Sequence, residues 1–473
     1  MNLGEPYNPS YPYRFILNLW VPIMMNISEK ENKKSQLKKT LSPIMLWGLG
    51  VGYVISGMYF GWNLGLEKGG TLGLGIATLF IIVLYITFTF SYAELASAIP
   101  KAGGGLDYAN KALGKDWGFI AGMAQNIEFI FAPPAIAFAI GAYFNLFFPQ
   151  LPILNIAILS YIVFTLLNIW GVKAAATFEL VITIFAVFEL LLFAGISFTH
   201  FEFKNLQMHA LPNGISGIFA ALPFAIWFFL GIEGVANVAE ETINPQRTIL
   251  IGFGSAILTL ILLCLFTFTS SIGVAGWEAI VYKADGTSSD SPLPLALARI
   301  VGDNNYLYHL LITIGLLGLI ASFHGLMLAA GRSTYEFGKV VFKNSVIGKI
   351  HPKYNTPSYA LLLNMGIGIV ALFSGKTNEI ITIAVFGALT LYIISMVSMI
   401  QLRRKAPELE RPFKVPFYPL FPIIALIIST VSFISMIIFN IALAALFLFI
   451  MIFCFVIYKF FTGKKNKNST SLV

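Results

Sequence analysis

Charged side chains are scarce in this chain. Asp, Glu, Lys and Arg together make up 11% of its 473 residues, against about 25% in a typical soluble domain. So little charge cannot clothe a water-facing globule, and a mean hydropathy of +0.81 points instead to a lipid-embedded protein. Cysteine is nearly absent: Cys264 and Cys454 each sit within an apolar run, which leaves no disulfide framework and no cysteine-based metal site. There is neither a nucleophile–base set nor a metal-ligand spacing, so an enzyme is disfavoured and no cofactor or metal is expected. The net charge of +8 is distributed between apolar runs rather than gathered on one face, which argues against nucleic-acid binding. Polar residues are also too few to line an aqueous pore.

What the chain has in abundance is apolar runs of membrane-spanning length. A helix needs about 20 apolar residues to cross a bilayer, and candidate spans fall at about 44–66, 73–98, 117–145, 153–171, 175–199, 215–239, 249–274, 307–331, 357–374, 378–401, 416–435 and 438–460. Twelve spans place both ends on one side. Lysine and arginine then set the orientation. Lys68, Lys204, Lys283, Arg299 and Lys376 fall in alternate loops, and Arg14 stands apart in the N-terminal stretch. The other 24 of the 30 basic residues fall in the remaining loops and tails. The predicted architecture is therefore all-α, with twelve transmembrane helices and both termini in the cytoplasm, in the cell (inner) membrane.

Residues 1–43 read as a cytoplasmic tail. Its first 24 or so residues, with Pro6, Pro9, Pro12 and Pro22, resemble neither a signal peptide nor a helix, and translation is expected to begin at Met24 or Met25. Residues 44–401 are expected to hold the core of helices 1–10, 402–460 the last two helices and 461–473 a second cytoplasmic tail. The loop around 275–306 is turn-rich, with a short amphipathic helix expected at 293–301.

Two of the spans are interrupted. The first reads Gly52-Tyr53-Val54-Ile55-Ser56-Gly57-Met58-Tyr59-Phe60-Gly61-Trp62, and the second reads Trp227-Phe228-Phe229-Leu230-Gly231-Ile232-Glu233-Gly234. Glycine is a poor helix former, and an acid at membrane depth is costly to expose to lipid. Breaks that open the first and second sets of five spans match a 5+5 inverted repeat with discontinuous helices 1 and 6, the pattern that marks a transporter's binding site. An unwound turn at Ser56-Gly57 would free N–H groups for an oxygen acceptor and carbonyls for a cation. The alternative at this break is a packing face of small residues, Gly48, Gly52, Ser56 and Gly57.

Glu233 could accept a substrate ammonium, carry a coupled proton, or serve as a structural acid. Glu128, Glu179, Glu189 and His324 are the other ionisable groups at depth. Glu179 reads as solvated near the cytoplasmic end, and His324 as a neutral packing histidine. Aromatic residues near the breaks, among them Tyr59, Trp227 and Phe323, could line a site for an organic cation.

The stretch Tyr92-Ala93-Glu94-Leu95-Ala96-Ser97-Ala98-Ile99-Pro100-Lys101-Ala102-Gly103-Gly104, with Tyr108 and Ala112-Leu113-Gly114, resembles the signature after span 2 of the amino acid–polyamine–organocation (APC) transporters. The stretch Glu240-Glu241-Thr242-Ile243-Asn244-Pro245-Gln246-Arg247 resembles their signature after span 6. The likeness covers nearly all of residues 43–460. Within that superfamily, Val54 to Asn63, Ile232-Glu233-Gly234-Val235-Ala236 and Ser322-Phe323-His324-Gly325 are similar to the ethanolamine permease branch.

The resemblance implies secondary transport by alternating access, with spans 1–2 and 6–7 rocking against a scaffold that contains spans 3–4 and 8–9. It implies a site built from the backbone of Ile55, Ser56 and Gly57, from Asn126, from Trp227 as an aromatic gate, from the carbonyls of Leu230 and Gly231, from Glu233, and from Phe323. Some proton-coupled relatives carry a lysine in span 5, where this chain is apolar around Ala186. Glu128, Glu189 and Glu233 remain as candidates for a coupled proton. Ethanolamine is the first expected substrate and an amino acid the second. A non-transporting nutrient sensor is a remote third reading.

Overall fold

The computed structural model describes residues 40–170, 175–342 and 345–469. The expectation about the translation start lies outside them. Residues 41 onward form one compact unit.

Helix one begins at Pro43, whose missing N–H costs nothing in a first turn. It runs as α1 (Pro43–Val54), α2 (Ser56–Tyr59) and a 3-10 turn, Trp62–Gly65. Its continuation merges into α3 (Leu66–Ala98) across a reversal at Gly70, φ 62°. There follow α4 (Gly105–Leu113), α5 (Lys115–Phe147), α6 (Ile153–Trp170), α7 (Ala175–Phe198) and a short α8 (Phe203–Gln207). The second broken span is α9 (Gly214–Ala220), α10 (Leu222–Trp227) and a 3-10 stretch, Ile232–Glu241. The remainder comprises α11 (Pro245–Ala275), α12 (Glu278–Val281), α13 (Pro292–Val301), α14 (Tyr306–Val341), α15 (Ser358–Leu372), α16 (Thr377–Lys405), α17 (Leu420–Phe439) and α18 (Ile441–Ser469).

Among the described residues, ten helices are long and apolar enough to cross a membrane, and the other two predicted spans are the shorter Pro43–Tyr59 and Ser358–Leu372. The predicted helix at 293–301 is α13. The two broken spans open the first and second sets of five, as the inverted-repeat reading expects.

Burial orders the bundle. In α5 and α16, 83% of the most apolar window is buried, and these two helices pack against each other at the centre; in α18 only 17% is buried. The outward faces of α6, α7 and α18 expose Leu159, Ile162, Phe185, Phe188, Phe449 and Phe453, the surface that lipid would cover. Pro133 and Pro134 sit inside α5 without ending it. Each removes one N–H from the ladder and frees a carbonyl one turn earlier.

Polar contacts fasten both ends of the bundle. At the basic end, Glu94 of α3 receives Nε and Nη2 of Arg403 at 2.7 Å each and the Val415 N–H at 2.7 Å. Leu41 pairs its backbone with Glu241 and Ile243, and Arg332 of α14 reaches Glu241 at 2.8 Å. At the opposite end, Asn63 donates to the Ser289 carbonyl at 2.8 Å, and Thr377 donates to Asp290 at 3.0 Å.

Candidate functional site: the crossing of the two broken helices

The first break lies further along the chain than Ser56-Gly57. Ile55 keeps helical angles, φ −59° and ψ −24°, and the helix resumes at once. The backbone departs at Phe60, φ −162°, and at Gly61, φ 87°, a conformation that only glycine adopts freely. Gly57 serves a different purpose. A Cβ there would stand 2.5 Å from the Trp227 carbonyl and 3.1 Å from Cα of Phe228, so glycine lets break one lie directly on break two. A Cβ on Gly61 would collide with the Trp227 indole.

Breaking a helix frees carbonyls, and buried carbonyls demand donors. Here side chains supply them. Ser322 donates to the Tyr53 carbonyl at 2.8 Å, Trp62 Nε1 to Met58 at 3.0 Å, Tyr143 to Tyr59 at 3.2 Å, and Trp227 Nε1 to Phe60 at 3.0 Å. Ser322 also bonds the Ser56 hydroxyl at 2.8 Å. The Trp227 ring meets Phe60 edge to face, 5.4 Å between centroids, and Trp62 stacks on Phe228. Break one is thereby closed by donors from three other spans.

Break two turns at Gly231, φ 97°. Its carbonyl is taken by the Gly234 N–H at 3.0 Å. The expected carbonyl ligand at Gly231 is therefore replaced by an N–H, which lies within reach of two carboxyls, Glu233 and Glu128. Leu230 is buried beside it. Glu233 opens the 3-10 stretch, and its Oε2 accepts from Tyr392 of α16 at 2.9 Å. Tyr392 in turn shares a hydrogen bond of 3.1 Å with Tyr85 of α3. Glu128 of α5 faces Glu233 from across the break and receives no well-formed hydrogen bond from a described donor. Both acids are buried, at 0% and 1% exposure. Two adjacent negative charges repel strongly in a low-dielectric interior, so this pair requires a cation between its members, either a proton or an ammonium.

The structure brings together Ile55, Ser56, Gly57, Trp227, Leu230, Gly231, Glu233 and Glu128. It does not bring Asn126 or Phe323 to the crossing. Asn126 donates to the Gly122 carbonyl at 2.7 Å and accepts from Thr334 at 2.7 Å, on the face of α5 turned to α14 and α15. Phe323 packs edge to face on Tyr161 and Phe164 of α6. Of their sequence neighbours, Ser322 lies at the crossing and Gln125 lies toward the basic end. Gln125 reaches Asn237 of the 3-10 stretch at 3.4 Å and Ser333 at 3.0 Å, and Ser322 reaches break one.

Glu189 stands on the outer flank of break one, accepts from the Tyr59 hydroxyl at 2.7 Å, and lines a small cavity with Tyr143, Phe193 and Leu297. Glu179, expected to be solvated, is 1% exposed and lies 3.7 Å from His324. Helical phase could have flagged Ser322, since adjacent residues on a helix point about 100° apart. Tyr85 and Tyr392 carry no comparable signal in the sequence.

Residues 41–468 match the sequence model of the amino acid permease family. An uncharacterized transporter of Rhizobium meliloti is 28% identical over 82% of this chain and 85% of its own length. The branched-chain amino acid permease BcaP of Bacillus subtilis is 25% identical over 83% and 87% respectively. The low-affinity putrescine importer PlaP of Escherichia coli K12 is 24% identical over 81% and 86%. With a multi-pass helical bundle and a family match over nearly its whole length, the chain belongs to the amino acid permease family and is a membrane transporter.

Proposed function

We propose that this protein carries a small organic amine across the cytoplasmic membrane by alternating access, with ethanolamine as the first substrate to test. Residues 44–401 form the transport core, and the basic end faces the cytoplasm. The observation that supports this reading is the Glu128–Glu233 pair at the crossing of the two breaks. An ammonium between these carboxyls supplies the charge they require, and the rings of Phe60 and Trp227 lie at the same crossing. A hydroxyl on the same molecule would meet the Ser56 and Ser322 hydroxyls.

The second reading is an amino acid permease, favoured by the B. subtilis relative's name. Such a substrate brings a carboxylate into a site that already holds two acids, and only backbone N–H groups would offset it. A diamine, as the name of the E. coli relative suggests, would suit two acids better than a zwitterion. Glu189 and the Glu128–Glu233 pair are the candidates to hold a coupled proton while the amine is absent.

The test is uptake of radiolabelled ethanolamine into proteoliposomes, with unlabelled ethanolamine, putrescine and amino acids as competitors. Saturable uptake blocked by ethanolamine but not by amino acids is the expected outcome. Saturable uptake of an amino acid with no ethanolamine uptake transfers the site to the second reading.

A further inference from the structure

Beside the crossing of the two breaks lies a buried charged cluster that it does not use, set against Gly52, one turn before Ser56. Glu179 of α7 and His324 of α14 are 1% and 4% exposed, with Oε2 and Nδ1 3.7 Å apart. Neither oxygen of Glu179 nor His324 Nδ1 has a well-formed hydrogen bond from a described residue. A structural acid in an apolar bundle ordinarily collects two or three donors, because leaving a buried polar atom without one costs about 1–3 kcal/mol.

Here the bundle is shaped around the acid instead. A Cβ on Gly52 of α1 would stand 2.5 Å from Glu179 Oε1, and one on Gly325 of α14 would stand 3.0 Å from the same atom. Small residues on two facing helices thus make room for a carboxyl that they do not bond. The Tyr53 ring covers Gly325, and its hydroxyl also has no partner among the described residues. The charges next nearest are Arg332 and Glu241, which act on the neighbouring Tyr53 from the basic end and are paired with each other. Phe164 of α6 closes the remaining side of the histidine ring, and Thr183 of α7 donates away from the acid, to the Gly48 carbonyl.

We propose that Glu179 and His324 form a proton-binding dyad, separate from the amine site, whose occupancy decides whether α1 can seat against α7 and α14. With one proton between them the two groups are neutral overall, as an ion pair or as acid plus imidazole. With none, a single negative charge is sealed among glycines and aromatic rings, which an apolar site tolerates poorly. The seated arrangement therefore belongs to the loaded dyad, and losing the proton favours withdrawal of α1 and entry of water. The coupling to transport is mechanical. Tyr53, which covers the dyad, lends its carbonyl to Ser322, and Ser322 holds Ser56 at break one.

The test uses the purified full-length protein and two readouts. Infrared difference spectra across a pH titration, without substrate, report the carbonyl stretch of protonated carboxyls. The wild-type spectrum should contain a component that is missing in Glu179→Gln and displaced in His324→Asn. In proteoliposomes, both variants should keep ethanolamine exchange within about twofold of wild type while losing at least tenfold of the accumulation driven by an inward proton gradient. Glu179→Asp should restore part of that accumulation. Identical infrared titrations in wild type and both variants overturn the proposal, and so does undiminished gradient-driven accumulation. Should the wild type move no ethanolamine, the amine reading fails, and the infrared titration still decides the dyad.

Discussion

Glu128 and Glu233 illustrate how a single residue's meaning depends on what folding places opposite it. In the sequence Glu233 is one acid between two glycines, and Glu128 is an acid five residues before a proline pair. Facing each other at 0% and 1% exposure, they cannot both stay charged and bare, which is what makes them the proposed amine site. Replacing Glu233 by Gln removes half of that site and leaves Tyr392 a neutral acceptor. We expect uptake to fall about tenfold to a hundredfold, the range for losing a charge-assisted hydrogen bond, with thermal stability near wild type. Unchanged kinetics would remove Glu233 from the mechanism. Gly57→Ala should act differently. Its Cβ would stand 2.5 Å from a backbone carbonyl that cannot step aside cheaply, so the variant should lose about 1–3 kcal/mol of stability; a normal melting curve would contradict the close packing of the two breaks. The backbone of Ile55 to Gly57, Trp227 and Glu233 was legible in the sequence because glycines and an acid stand out in apolar runs. Asn126 and Phe323 face away from the crossing, toward Thr334 and Tyr161, since a linear motif does not reveal which face of α5 or α14 turns inward.

At the scale of the element, the spans were legible because lipid demands about 20 apolar residues in a row, whereas loops and breaks obey packing. The first break was expected at Ser56-Gly57 and falls at Phe60-Gly61, because Trp227, Tyr143 and Trp62 supply the donors that let the chain leave the helix there. Two of these donors, Trp227 and Tyr143, come from other spans, and no local pattern announces them. The loop between α12 and α13 also carries a testable acid. Asp290 accepts from Thr377 at the start of α16. Burial pushes its carboxyl up to about 6, against the opposing pull of the Thr377 bond and of Lys283. An unfolded aspartate titrates near 3.9, so between about pH 4 and pH 6 the folded chain holds more protons than the unfolded one. The stability contributed by neutral Asp290 is complete below about pH 4 and is lost as the pH rises through 6. Asp290→Asn should therefore raise Tm by roughly 2 °C at pH 8, a modest figure because the residue keeps some solvent contact, and should change nothing at pH 4. A gain at pH 4 equal to that at pH 8 would show that titration is not the cause.

At the scale of the whole molecule, polar contacts fasten the described bundle on both sides of the crossing. On the basic side the backbone of Leu41 is bonded to Glu241 and Ile243, Arg332 holds Glu241, and Gln125 reaches Asn237. On the other side Trp227 and Phe60 cap break one, and Asn63 is tied to Ser289. Alternating access requires these two sets of contacts to open in turn, and a ligand or mutation shifts the balance only by what it contributes to one set and not the other. Arg332 and Glu241 belong to the basic set alone. Their side chains are 23% and 16% exposed, so the pair is neither fully solvated nor deeply buried, and removing one partner should cost the closed form about 1–2 kcal/mol. A shift of 1.4 kcal/mol is tenfold in population. Asn237 is 1% exposed on the 3-10 stretch just behind this latch. A cysteine at 237, with Cys264 and Cys454 replaced by alanine, should therefore react with a thiol reagent applied from the basic side about tenfold faster when Arg332→Ala is present. A cysteine in place of Asn63, at the other end, should react no faster or more slowly, because opening one end withdraws population from the other. Equal acceleration at both positions would mean that Arg332 holds the fold together and does not latch one side. No change at position 237 would mean that the backbone pairing of Leu41 keeps the basic end shut without it.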